Sequence, residues 1–315
     1  MILVTGATGI LGRVIVLELL KRGKSVRATK RKSSNLQEVR KSFQFYTETP
    51  NEYFDSIEWI EVDFEDIHSL QNALNGVEEV YHCAAKVSFH PKDEKKMYQT
   101  NIEGTKQLLF ACQNSSVKKF LFVSSIAVLD GLNENGELDE SSDFNPKIDH
   151  SAYAISKHFS EMEVWRASAE GLNTVIVNPG IIIGSGNWKE SSGTLFKELG
   201  ENAYTFSGGT SYVDVRDVAQ ISIELMEKNI FGERFILVSE SAKYKEIGNS
   251  IRQKLGKSPM KLLPNVVLKV GFYLNLLFGW LFSPLKMANK VNIKSVTEFN
   301  KISNKKIKEK LNYEF

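Results

Sequence analysis

Met1-Ile2-Leu3-Val4-Thr5-Gly6-Ala7-Thr8-Gly9-Ile10-Leu11-Gly12 opens the chain, and the reading of this stretch decides the fold. The apolar run Ile2 to Val4 predicts a buried strand, and the amphipathic run Ile10 to Arg22 predicts a helix. Three glycines at spacing three join them, each where a Cβ would obstruct. Gly6 makes the tight turn out of the strand, Gly9 lets the backbone approach a pyrophosphate, and Gly12 lets the helix pack close on the sheet. Unpaired N–H groups and a positive dipole end at the helix N-terminus then attract phosphate. Glycine triplets also occur in ordinary strand–turn–helix units. Here the position between a strand and a helix selects a dinucleotide site.

Working outward, the helix closes at Gly23 and Ser25 to Lys30 reads as a second strand. An NAD site wants an acid about 20 residues past the glycines to accept from the ribose hydroxyls. This chain offers Lys30-Arg31-Lys32-Ser33 instead, with no acid before Glu38. A cluster of cations suits a 2′-phosphate, and Arg31 can grip it through two parallel bonds. NADP(H) is therefore the expected cofactor and NAD(H) the less favoured one; the alternative is a solvated basic loop.

Asn35 to Tyr46 reads as helix, Thr47 to Ser56 as a polar connection, and Ile57 to Val62 as a strand ending in Asp63-Phe64. Ile67 to Leu74 predicts a short helix, Val80 to Ala85 a fourth strand, and Lys92 to Asn114 one long helix carrying Asn101. Lys119 to Ser125 is a fifth strand, Ser151 to about Ala169 a helix, and Thr174 to Asn178 a sixth strand before Pro179-Gly180. This alternation predicts an α/β fold, a doubly wound parallel sheet (Rossmann) with helices on both faces. Beyond Pro179 the regularity fails: residues 181–209 are glycine- and serine-rich with one short helix near Leu195. Val215 to Lys228 is expected as helix, and Phe235 to Val238 as a strand returning to the sheet. Residues 1–179 and 212–238 are thus expected to form the cofactor domain. Residues 180–211 and 239–315 are expected as a smaller, mostly helical substrate lobe.

Tyr153-Ala-Ile-Ser-Lys157 places a phenol and an ammonium one helical turn apart, after a strand that ends in Ser124-Ser125. A phenol of pKa ~10 exchanges protons poorly at neutral pH. A neighbouring cation is expected to move it into the working range, and Ser125 can steady the charge on a carbonyl oxygen.

With these residues in place the chain resembles the extended short-chain dehydrogenase/reductase family, the NAD(P)-dependent epimerase/dehydratase group. The likeness rests on Thr5 to Gly12, Ser125 and Tyr153-x-x-x-Lys157, with His82-Cys-Ala-Ala85, Asn101-Ile-Glu-Gly-Thr105, Asn178-Pro-Gly180 and Tyr212 to Ala219 as further matches. The closing segment from Lys301 to Tyr313 is similar too. The resemblance implies Ser125, Tyr153 and Lys157 as the catalytic set, with Asn101 supporting the lysine through a relay and Lys157 also holding the nicotinamide ribose. It implies cofactor contacts from Gly6, Thr8, Gly9, Ile10, Leu11 and Gly12, from Asp63 and Phe64 at the adenine, and from Ala84 and Ala85. Asn178, Pro179 and Gly180 would lie near the nicotinamide. Departures narrow the branch. Ser124-Ser125-Ile126-Ala127 lacks the acid pair of sugar-nucleotide dehydratases, and Thr210-Ser211 stands where epimerases carry a diphosphate-clamping arginine. Val26 to Arg31 is similar to the second strand of dihydroflavonol-4-reductase-like members, which implies an NADPH-dependent reductase of apolar ketones or aldehydes. The rivals are an NAD-dependent sugar-nucleotide epimerase and a non-catalytic NADP-binding regulatory protein.

The 315 residues carry a net charge of +2, and nothing points to nucleic acid. Cys83 and Cys112 read as reduced core thiols of a soluble cytoplasmic protein, with no leader ahead of the first strand and no metal site expected. The uncharged run between Lys269 and Lys286 is shorter than a bilayer span and contains Pro284. It is expected as a buried lobe helix over an apolar pocket, with a dimer or lipid-surface contact and membrane attachment as the less favoured readings. The Lys86 to His90 loop and Trp188 to Leu195 are expected to face a small-molecule substrate, with His90 at the rim. The helices holding Asn101 and Tyr153 are expected to pair subunits in a homodimer, as in many relatives.

Overall fold

The computed structural model describes residues 1–186 and 192–315. Its first half runs β1 (Ile2–Thr5), α1 (Ile10–Lys21), β2 (Val26–Lys30), α2 (Leu36–Ser42), α3 (Pro50–Asp55) and β3 (Glu58–Glu61). It continues through α4 (Ile67–Ala73), β4 (Glu79–His82), α5 (Glu94–Tyr98), α6 (Gly104–Gln113), β5 (Lys119–Val123), α7 (Ala152–Ala169) and β6 (Asn173–Pro179). Next come β7 (Ile181–Ile183), α8 (Ser192–Glu201), β8 (Tyr204–Thr205), β9 (Gly209–Asp214), α9 (Val215–Glu227), β10 (Glu233–Leu237) and β11 (Glu240–Lys243). The chain closes with α10 (Tyr244–Lys254), β12 (Lys261–Leu262), α11 (Asn265–Phe278), α12 (Lys290–Thr297) and α13 (Lys305–Leu311).

Seven strands form one sheet in the order β10-β6-β5-β4-β1-β2-β3, and every neighbouring pair is parallel. The doubly wound sheet expected from the alternation is what forms, including the return of β10 beside β6. Parallel strands are buried on both faces, which is why Ile2 to Val4 and Val175 to Val177 read as continuous apolar runs. One face packs α1, α9 and parts of α2 and α3 through Leu11, Val14, Ile15, Val39, Phe54, Val218 and Ile221. The other packs α4, α6 and α7 through Leu70, Leu74, Leu108, Leu109 and Val164. The order reverses between β1 and β4, so the crevice beyond their carboxyl ends is where such sheets bind ligands.

Smaller pieces assemble beside this sheet: the three-stranded β11-β9-β7 and the two-stranded β12-β8. Several expectations are corrected here. Residues 47–56, expected as a connection, hold α3, whose Pro50 stands in the first turn where its missing N–H costs nothing. The continuous helix expected over 92–114 is instead α5, a π-helical turn over Gln99–Glu103, and α6. The fourth strand stops at His82, leaving Cys83 to Ala85 beyond its end. The last helix, α13, leaves the lobe assigned to it and packs against β10, with Ile307 and Leu311 in the core of the sheet. The helix expected to be buried between Lys269 and Lys286 is not: α11 buries none of its residues.

Candidate active site

The opening glycine turn is built as its spacing requires. Gly6 has φ 63°, and a Cβ there would stand 2.6 Å from the Ala84 nitrogen on the neighbouring strand's exit. A Cβ on Gly12 would lie 2.3 Å from the Gly6 carbonyl oxygen, so α1 sits directly on the turn. Gly9 occupies the N-cap of α1, and no side chain caps the helix. A cradle that any Cβ would fill, closed by a helix N-terminus without a side-chain acceptor, fits a pyrophosphate.

Sequence reading missed the residue that braces this turn. Arg13 is only 1% exposed, and its guanidinium makes paired bonds of 2.7 and 2.8 Å to Glu38. Its Nε donates to the Gly9 carbonyl at 3.1 Å, and a terminal nitrogen donates to the Thr8 carbonyl. The only available signal was a single cation in the otherwise apolar first half of α1. The pairing has a consequence for the cofactor. Glu38, the first acid after β2, is already engaged, whereas Lys30, Arg31 and Lys32 form no ion pair among the described residues. Arg31 and Lys32 are exposed beyond the end of β2.

Ser125 follows β5 and caps a 3-10 turn over Ile126–Val128, its Oγ accepting from the Ala127 N–H at 3.2 Å. Ser151 caps α7, accepting from the Ala154 N–H at 3.1 Å, which starts the helix so that Tyr153 lies in its first turn and Lys157 in its second. The Ser125 hydroxyl is close enough to the Tyr153 hydroxyl to favour its ionised form. Burial holds the Tyr153 hydroxyl above the usual phenol range, and Ser125 only partly offsets it. The expected acidification is thus corrected. Lys157 donates its ammonium to the Val123 carbonyl at 2.7 Å and lies 4.8 Å from the centre of the Phe122 ring. Burial lowers the Lys157 pKa to about 8, with Cys83 and Glu161 pulling the other way.

Asn101 lies in the π-helical turn, an irregularity frequent at functional sites. Its side chain accepts from the Lys86 N–H at 2.7 Å and donates to the Lys86 carbonyl and the Ser156 hydroxyl, both at 2.9 Å. Its own carbonyl accepts from the Ser160 hydroxyl at 2.8 Å. Among the described hydrogen bonds none joins Asn101 to Lys157; it pins the Lys86 loop to α7 instead. Asn178 donates to the Ser125 carbonyl at 3.1 Å and to Glu161 at 2.6 Å. Its Oδ1 is buried with no partner among the described residues. Glu161, also missed from sequence, lies one turn after Lys157; burial raises its pKa, and Arg234 stands 3.7 Å away. Its only signal was the i+4 spacing from Lys157.

The remaining expected residues ring the same crevice. The Ala84 N–H donates to Thr5 Oγ1 at 3.3 Å, and Ala85 follows it. Pro179 ends β6, and a Cβ on Gly180 would lie 2.5 Å from the Ser211 carbonyl. Asp63 and Phe64 follow the edge strand β3; the Phe64 ring lies 5.8 Å from that of His82, and the Asp63 carboxylate accepts from the Glu65 N–H at 3.0 Å. His82 bonds Thr5 at 2.7 Å and Thr105 at 2.9 Å, and burial lowers its pKa to about 3, so it serves as a neutral strut. Phe89 packs edge-on against Tyr153, ring centres 6.2 Å apart. His90 bonds Ser283 at 3.1 Å. Residues 188–191 of the segment expected to face the substrate lie outside the described residues.

Comparison with known proteins agrees with this geometry. Residues 2–237 match the profile described as the NAD dependent epimerase/dehydratase family. The chain is 31% identical over 241 residues to sterol demethylase protein B of Methylococcus capsulatus, covering 76% of this chain and 69% of that one. It is 27% identical over 266 residues to dihydroflavonol 4-reductase of Arabidopsis thaliana, covering 80% and 68%. UDP-glucose 4-epimerase of Thermotoga maritima shares the fold, with a TM-score of 0.76 at 22% identity, covering 99% of this chain and 93% of that one.

Proposed function

The chain belongs to the NAD dependent epimerase/dehydratase family, whose members are NAD(P)-dependent oxidoreductases, epimerases and dehydratases, and from that premise we propose that it reduces the carbonyl group of a small, apolar ketone or aldehyde with NADPH. The observation that carries this reading is the 2.7 Å bond from Lys157 to the Val123 carbonyl, which sets the face of α7 bearing Tyr153 and Lys157 at the carboxyl end of β5, where Ser125 follows. A bound nicotinamide supplies the hydride. Tyr153 gives its proton to the carbonyl oxygen; burial keeps the phenol in the protonated form that this step needs. Ser125 Oγ accepts from the Ala127 N–H, and its O–H is the donor that can turn to the same oxygen. Lys157 compensates the phenolate left behind and offers its ammonium to the ribose. The Lys30-Arg31-Lys32 loop, unpaired beyond β2, supports NADP over NAD.

The rim supports an apolar substrate. Phe89, 50% exposed, covers Tyr153, and Val87 on the same loop is 43% exposed. Two relatives are named for a sterol and for a dihydroflavonol. The epimerase reading is open to the family but disfavoured here, since Thr210 and Ser211 supply no cation for a diphosphate. Absorbance of NADPH during incubation with a carbonyl panel, set beside isomerisation of a UDP-hexose without added nucleotide, separates the two. Oxidation of NADPH by no member of the panel, with UDP-hexose turnover, would overturn the reductase reading.

A pH profile follows. Lys157 carries its charge below about 8 and loses it as pH rises through that value. kcat/KM for reduction is therefore expected to be flat near neutrality and to fall above about pH 8, by up to ~10-fold per unit. A profile still flat at pH 10 would remove the lysine from the reaction.

Subunit pairing is proposed through the neighbouring helices α6 and α7, where Phe110, Phe159 and Met162 are 54%, 49% and 53% exposed. Light scattering is expected to give a dimer for the wild type and a monomer for Phe159→Glu.

A further inference from the structure

We propose that the face formed by α11 and the turn after it docks on the surface of a lipid bilayer bearing anionic headgroups. Along this segment the large apolar side chains point outward. Leu276, Leu277 and Trp280 are 62%, 64% and 79% exposed, and Val266, Val270, Tyr273, Leu281 and Phe282 are each more than half exposed. Scattered apolar residues are ordinary on a protein surface; a contiguous patch of this kind marks an interaction site. The segment's polar contacts are few: Ser283 bonds His90 of the body at 3.1 Å, Asn275 ties α11 to the Ala288 carbonyl after the following turn at 3.3 Å, and Asn292 of α12 donates to the Phe89 carbonyl at 3.3 Å. Apolar packing is therefore left over for a partner.

Charge identifies the partner. Between Glu246 and Glu298 the chain holds no acidic residue, while Lys254, Lys257, Lys261, Lys269, Lys286, Lys290 and Lys294 flank the apolar run in sequence. Only Lys290 and Lys294 of these have an ion-pair partner among the described residues. An apolar, aromatic-rich patch on a stretch of chain rich in unpaired lysines complements a leaflet of anionic lipid, with Tyr273 and Trp280 suited to the headgroup boundary. A second copy of the chain fits poorly, because a two-fold contact would bring the lysine-rich stretches face to face. No described helix is long and apolar enough to cross a membrane. At 1.5 Å per residue α11 is roughly 20 Å long, so it lies on the surface. Docking does not depend on the reaction proposed above. If that reaction is right, docking has a consequence that rests on it: the Phe89 loop, tied to this segment and packed on Tyr153, would stand at the bilayer surface, where apolar carbonyl compounds concentrate.

Vesicle flotation of the full chain tests this, using phosphatidylcholine alone and phosphatidylcholine with phosphatidylglycerol, at low and high salt. The wild type is expected to float with the anionic vesicles and to be released by salt, with partition to neutral vesicles lower by roughly 10-fold or more. Leu277→Glu with Trp280→Glu should abolish flotation, and Lys269→Glu with Lys286→Glu should remove the preference for anionic lipid. All four side chains are exposed, and unchanged circular dichroism and NADPH binding would confirm intact folding. Wild-type protein that stays in solution with both vesicle types overturns the proposal, as does equal flotation of the Leu277/Trp280 variant. A wild-type dimer converted to monomer by Trp280→Glu would assign the face to a second copy instead. The salt and lipid dependence of the wild type stands even if a variant misfolds. Carbonyl reduction measured without vesicles is a separate readout, so failure of docking and failure of the reductase reading are distinguishable.

Discussion

Tyr153→Phe is expected to lower kcat/KM for carbonyl reduction by about 10²- to 10⁴-fold, the range a positioned general acid contributes, while leaving NADPH affinity unchanged. The substitution removes one oxygen and keeps the ring that packs against Phe89, so folding and the rim are preserved. No neighbour can take over. Ser125 is a far weaker acid than a phenol, and its Oγ is held by the Ala127 N–H. His82 is locked between Thr5 and Thr105 and stays neutral. The Lys157 ammonium is directed at the Val123 carbonyl. NADPH consumption gives the rate, and fluorescence titration gives the binding. A Tyr153→Phe variant as fast as wild type would remove Tyr153 as the proton donor. If wild type and variant both bind NADPH and neither turns over any substrate, the non-catalytic binding protein becomes the better description.

Arg31→Ala is expected to weaken NADPH binding by about 10- to 100-fold with little change for NADH, the size of one charge-assisted contact to a phosphate. That range is about 1.4–2.8 kcal/mol. The argument gains from the tertiary structure. An acid near the end of β2 would repel a 2′-phosphate, but Glu38 is neutralised by the buried Arg13, and Arg31 remains exposed with no ion pair among the described residues. Equal loss for both nucleotides would mean that Arg31 acts on the loop's shape. No loss for either would leave the basic loop merely solvated.

Much of the fold was legible because its signals are local. Glycine spacing, apolar runs bounded by turn residues and strand–helix alternation each act within a few positions, and they placed the six strands through Asn178, the return of β10, and the order of the site residues. The misreadings share a cause. Residues 92–114 have the composition of one helix, and no apolar periodicity reveals a change of hydrogen-bond register at Gln99–Glu103. Ile302, Ile307 and Leu311 show helical spacing, but spacing does not say which body the stripe packs on; the core beside β10 takes Ile307 and Leu311.

What the sequence by itself determined is the doubly wound sheet, its glycine cradle and the identity of the residues at its carboxyl edge, because short-range sterics and hydrophobic periodicity are sufficient causes for each. Only the tertiary structure decided how those residues are tuned and what the apolar run does. Arg13 meets Glu38 across 25 positions and Asn178 meets Glu161 across 17. The Tyr153 pKa rises because distant segments exclude water from it, and α11 lies exposed because none of the described residues folds over it. Burial is a property of the whole assembly, so its effects on charge and on surface cannot be read from neighbours in the chain.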